Sequence, residues 1–136
     1  MRIIPVIDRL KTACALLNGR AEPAQSLSAL TDDEVRSGLP IAFIYSEKEA
    51  ASPNEMLGIT SQRVAKRFCI ITAAQPSTAI AEPIEASRDQ IKTALIGWCP
   101  DANHDPVEFV GGEIIDISTS VVWWKDTFET FTYNRG

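Results

Sequence analysis

Val121-Val122-Trp123-Trp124-Lys125-Asp126-Thr127-Phe128-Glu129-Thr130-Phe131-Thr132-Tyr133 carries the strongest β signal in the chain. It is rich in β-branched and aromatic residues, which fit a pleated surface. Successive side chains in a strand point to opposite faces. Trp123 therefore shares a face with Val121, Lys125, Thr127, Glu129, Phe131 and Tyr133, whereas Trp124 shares one with Val122, Asp126, Phe128, Thr130 and Thr132. Both faces mix aromatic and polar groups, which predicts a sheet covered on both sides. The reading places Trp124 inward beneath the molecule's own helices. Trp123 goes to the second face, where interfaces are enriched in tryptophan.

Working outward from this strand, Ser118-Thr119-Ser120 supplies a turn. Before it, Val107–Val110 and Glu113–Ile117 read as extended, interrupted by a bulge at Gly111-Gly112. Upstream of Pro106, Ile84, Ile91, Leu95 and Trp98 recur at helical spacing with Ile80 and Ala94 beside them, the pattern of an amphipathic helix facing a sheet. Gln75-Pro76-Ser77 separates that helix from a strand over Arg63–Thr72. Leu39–Tyr45 reads as a central strand, and a long polar loop from Glu47 to Ser61 joins the two. At the N-terminus, Ile3, Ile7, Leu10, Cys14 and Leu17 mark a first helix from Pro5 to the stop at Asn18-Gly19. Arg20–Ser37 reads as a surface connection with one helical turn after Thr31. The order helix, two strands, helix, two strands predicts an α+β two-layer sandwich: a mainly antiparallel sheet of about four strands with two helices on one face. Residues 1–136 are expected to form a single domain.

With 136 residues, 45% of them hydrophobic, the chain is long enough for one well-formed core. A net charge of −5 and a pI near 4.8 argue against a protein that grips nucleic acid. No stretch approaches the roughly 20 apolar residues of a membrane helix, so a cytoplasmic location is expected. Cys14, Cys69 and Cys99 are odd in number and widely spaced, which predicts buried, reduced thiols rather than a disulfide framework. One histidine, His104, excludes a multi-histidine metal centre, and the cysteines lack zinc-site spacing. Gly111-Gly112 precedes a strand rather than a helix, so it is no phosphate cradle. No cofactor is expected. Cys99 with His104 is the one tempting nucleophile–base pair, and it defines the alternative: a small α+β enzyme or ligand-binding domain.

The charge is uneven along the chain. Arg63, Lys66 and Arg67 cluster in one strand, and the last third is acidic through Asp101, Asp105, Glu108, Glu113, Asp116, Asp126 and Glu129. Such a split suits copies packed head to tail.

Arg88-Asp89-Gln90-Ile91-Lys92-Thr93-Ala94-Leu95-Ile96-Gly97-Trp98, then Pro100, then Pro106-Val107-Glu108-Phe109-Val110-Gly111-Gly112 and Trp123-Trp124-Lys125-Asp126-Thr127-Phe128-Glu129-Thr130 together resemble the tail terminator (tail completion) proteins of long-tailed bacteriophages. The N-terminal half agrees in pattern only. The resemblance implies a structural, non-enzymatic virion protein, made in the host cytoplasm, that forms a ring, usually a hexamer. Such a ring caps the tail-tube protein, stops its polymerisation and offers a surface to the head connector, with DNA passing through without specific binding. On that reading Glu47, Lys48, Glu49, Glu55, Met56 and Leu57 of the long loop, the Arg63, Lys66 and Arg67 cluster, and Trp123 are the expected tube or subunit contacts.

Overall fold

A computed structural model describes residues 1–53 and 61–135. The chain is α+β, built on one mixed five-stranded sheet in the order β1-β2-β3-β5-β4: β1 (Ala21–Pro23), β2 (Ile41–Ala51), β3 (Ser61–Ala74), β4 (Glu108–Ile117) and β5 (Val122–Arg135). All neighbours pair antiparallel except β1, which lies parallel to β2 through Ala21, Glu22 and Pro23. β1 is the strand that periodicity does not reveal, because three residues ending in proline carry no alternation to read.

The helices α1 (Ile4–Ala13) and α3 (Pro83–Leu95) cover one face. Val6, Ile7 and Leu10 of α1 and Ile91, Ala94 and Leu95 of α3 meet Ala42 and Ile44 of β2, Phe68 and Ile70 of β3, and Phe128 of β5 in the main core. Fully burying such side chains stabilises by about 1.5–3 kcal/mol each. α1 ends sooner than expected, at Cys14, whose ψ of 90° is extended. A 3-10 turn over Ala15–Leu17 follows and stops on Asn18 (φ 50°) and Gly19 (φ 77°), the left-handed positions that asparagine and glycine tolerate. In α3, Ile84, Ile91 and Leu95 are buried as predicted. Ile80 lies before the helix at 96% exposure, and Trp98 lies beyond its end, half-buried against the core.

The opposite face is also partly covered, by the chain itself. The expected surface connection forms β1, a 3-10 segment (Ala24–Ala29) and α2 (Asp32–Ser37). Thr31 caps α2 by accepting a hydrogen bond from the Glu34 amide at 3.2 Å, and Asp32, Asp33 and Glu34 complement the helix dipole. Leu27, Leu30, Val35 and Leu39 then close over Ile41, Phe43, Ala73, Val121 and Trp123. Covering this face with two short helical pieces, rather than leaving it to a partner, corrects the expectation of helices on one side only.

The long loop predicted from Glu47 is also shorter. β2 runs on to Ala51, with Lys48 opposite Arg67, Glu49 opposite Lys66 and Ala50 opposite Ala65, after a bulge at Glu47. Charged residues hide this half of the strand from hydropathy reading, yet β3 continues alongside and pairing with it sets the conformation. Glu55, Met56 and Leu57 lie outside the described residues.

Candidate assembly surfaces

Among the described residues β4 is the outermost strand on its side of the sheet and pairs with β5 alone. Its register slips twice, between Phe109 and Gly111 and between Ile114 and Asp116, so Val110 and Ile115 are the extra, unpaired residues. The first slip is the bulge expected beside Gly111-Gly112. Val110, Ile114, Ile115 and Ile117 are 44%, 48%, 50% and 67% exposed, a run of large apolar side chains along one free strand. The two bulges blunt this edge for strand pairing, while its exposed apolar side chains remain open to packing by a partner. Glu108, Glu113 and Asp116 are exposed on the same strand.

Behind this edge sits a buried ionic clamp. The Arg88 guanidinium of α3 donates to Asp126 of β5 through Nε (3.0 Å to Oδ2) and Nη2 (2.8 Å to Oδ1), and through Nη1 to Glu85 at 3.1 Å. It lies 4.1 Å from the centre of the Trp124 ring, a favourable cation–π position. Burial pulls the Arg88 pKa down, but Asp126 and Glu85 more than reverse that, so the net shift is upward. The strand passing beneath is β4 at Gly112. A Cβ there would collide with the Asp126 carboxylate and come within 2.7 Å of Arg88 Nη2 and 2.8 Å of Trp124 Nε1. Glycine is required here for close approach. The second residue of the Gly-Gly pair thus lets β4 pass close to the Arg88–Asp126 pair that ties α3 to β5, whereas a Cβ on Gly111 would meet nothing.

The predicted contact residues fall on two faces. Glu49 and Lys66 lie on the helix-covered side, where Glu49 Oε1 binds the N-terminal ammonium at 2.7 Å and Lys66 Nζ at 3.8 Å. On the other side, Glu47 accepts from Cys69 Sγ at 2.8 Å and pairs with Lys125 at 3.4 Å. The Cys69 hydrogen bond is the main reason its carboxyl lies below the usual range. Arg67 pairs with Glu129 at 2.6 Å, and Arg63 stacks 3.5 Å from the Phe131 ring centre. The basic cluster is therefore divided and internally satisfied, and Lys48 stands exposed beside it. Trp123 stacks on Phe43 (centroids 6.3 Å apart) within the second apolar cluster, partly covered by its own chain. Trp124 lies on the helix-covered face beneath Arg88.

Cys99 and His104 do not form a pair. Cys99 is exposed, contrary to the expectation of three buried thiols, because α3 ends at Leu95 and the chain turns at Gly97 (φ 82°) before reaching it. The His104 ring faces Thr130 Oγ1 through Nδ1 (3.4 Å) and Asp101 through Nε2 (3.8 Å), and burial lowers its pKa. It borders an open cleft of about 870 Å³ shared with Arg2, Lys66, Asp101, Asp105 and Thr132. Among the described residues no cluster of three metal-ligating side chains occurs, and no helix is long and apolar enough to cross a membrane.

Two features went unread in the sequence. Arg88 occupies a position on the apolar stripe of α3 between Ile84 and Ile91, and a charge there signals a buried partner. The non-alternating Ile114-Ile115-Asp116-Ile117 run signals a strand not covered on a single face.

An α+β fold whose outermost strand carries exposed isoleucines presents an apolar surface suited to contacts with other proteins. Residues 2–135 match the phage tail terminator protein family, and the chain belongs to that family. Its role is structural, in completing the phage tail. In fold it is similar to a chain of the "Virion of native gene transfer agent (GTA) particle", with a TM-score of 0.59 and 11% identity over 95% of this chain and 92% of that one. No match was found among curated proteins.

Proposed function

We propose that residues 1–136 act as one tail-terminator domain that closes with further copies into a ring, a hexamer, on the end of the tail tube. The ring stops addition of tube protein and offers its free side to the head connector, and DNA passes through without specific binding. Assembly takes place in the host cytoplasm. The protein acts by binding and not by catalysis, and needs no cofactor. The observation that carries this reading is the free strand β4 with its exposed isoleucines, in a chain whose family caps tails. In this setting Glu47, Lys48, Arg63, Arg67 and Trp123 flank one face of the sheet, and Glu55, Met56 and Leu57 follow β2 in the sequence. These are the proposed tube contacts. The test is polymerisation of purified tail-tube protein with and without this chain, read by electron microscopy. Tubes of arrested length carrying a terminal ring are expected. Tubes that grow equally long in its presence, with no density at their ends, overturn the proposal.

A further inference from the structure

We infer that β4 is one half of a heterologous contact between copies of this chain, the other half being the outer face of α1 on the neighbouring copy. This rests on the ring reading and specifies which surfaces close it. The two surfaces lie on opposite flanks of the molecule. β4 ends the strand order on one side, while α1 packs over β1 and the adjoining part of β2 on the other. A contact between opposite flanks repeats head to tail, as a closed ring requires.

The surfaces also match in chemistry. β4 exposes Val110, Ile114, Ile115 and Ile117 among the carboxylates of Glu108, Glu113 and Asp116. The outer side of α1 and its following turn exposes Ile4 and Leu16, with Arg2 and Lys11 flanking them and one acid, Asp8. Arg2, Lys11, Glu108, Glu113 and Asp116 have no ion-pair partner among the described residues. Long basic side chains can lay their stems on apolar surface while their charges reach carboxylates at the rim. Within one copy the helical layer ends at α3, which reaches β4 through Arg88 and Lys92, the latter 5.2 Å from the Phe109 ring. A neighbour's α1 laid beside α3 continues that layer over the uncovered strand. The alternative edge, the second half of β2, has Glu47 and Glu49 already paired within the chain and, among the described residues, exposes no large apolar side chain to meet the isoleucines of β4.

The experiment uses two surface variants of the full chain. Ile115→Lys with Asp116→Lys blocks β4, and Ile4→Gln with Lys11→Gln blocks α1 without supplying carboxylates that the basic β4 variant could pair with. Thermal melts first establish that each keeps the wild-type fold. In sedimentation up to millimolar concentration, wild type is expected to assemble and each variant to remain a monomer. An equimolar mixture should give a heterodimer, twice the monomer mass and no larger, because the intact α1 of one variant meets the intact β4 of the other. Monomers that stay monomeric on mixing overturn the pairing. An α1 variant that assembles like wild type points to β4 pairing with β4 or with another partner, and also overturns it. In either case the ring reading stands. Wild type that stays monomeric throughout overturns this inference, while the ring reading is decided separately by the tube-capping test.

Discussion

Gly112 shows how one residue joins the core to the surface. It has no special backbone angle; it is needed because Asp126, Arg88 and Trp124 occupy the space where a Cβ would be. Gly112→Ala is expected to destabilise by about 1–3 kcal/mol, the range for overpacking, while Gly111→Ala stays near wild type. Urea unfolding of both variants checks the contrast. Asp126→Ala, which leaves buried Arg88 with only the part-exposed Glu85, is expected to cost up to about 3–5 kcal/mol, the range for breaking a buried ion pair. His104 gives a different signature. Burial holds its folded pKa below the ordinary 6.5, so the proton favours the unfolded chain. Its contribution is complete above about pH 6.5 and is lost as pH falls through the lower folded value. The urea midpoint should therefore drop between pH 7.5 and 5.5, and His104→Gln should flatten that drop. An unchanged slope in the variant would remove His104 as the cause.

At the scale of elements, the partial cover on Trp123 changes what its removal should do. Trp124→Ala removes the ring beneath Arg88, and Trp123→Ala opens the cluster beneath α2. Both are expected to lower stability, by up to about 3–5 kcal/mol. Thermal melts read this directly, and a Trp123→Ala protein with wild-type stability would make that side chain an interface anchor alone. Both helices and all the strands with clear alternation were legible in the sequence, because amphipathic periodicity and burial are the same physical pattern. β1 was not, since its three residues owe their conformation to β2. The second half of β2 was missed for a related reason: cross-strand pairing overrides the low β-propensity of Glu47-Lys48-Glu49. The predicted contact residues were legible as charges but not as a patch. Strand alternation and local ion pairs distribute them over two faces, and the exposed apolar edge became visible only once β4 was placed outermost.

At the scale of the whole molecule, a tail-completion role makes reactive side chains dispensable. A protein with Cys14, Cys69 and Cys99 replaced by alanine and His104→Ala should still complete tails wherever it folds, read as infectious or DNA-filled particles. In the native protein Cys99 should react with a thiol reagent first, since Cys14 is buried with its pKa pushed up to about 11 and Cys69 is buried against Glu47. Loss of tail completion in a folded His104→Ala protein would count against the structural role. The two margins of the sheet are broken in different ways. β4 carries two bulges and three carboxylates among its isoleucines; on the far side β1 shields the first half of β2, and a bulge followed by alternating charges occupies the second. In the language of polymer chemistry, such a subunit has no functionality for strand addition. Neither margin offers an unbroken ladder, so backbone pairing alone cannot propagate through it. The subunit can sit on the end of an assembly through side-chain contacts without templating the next strand.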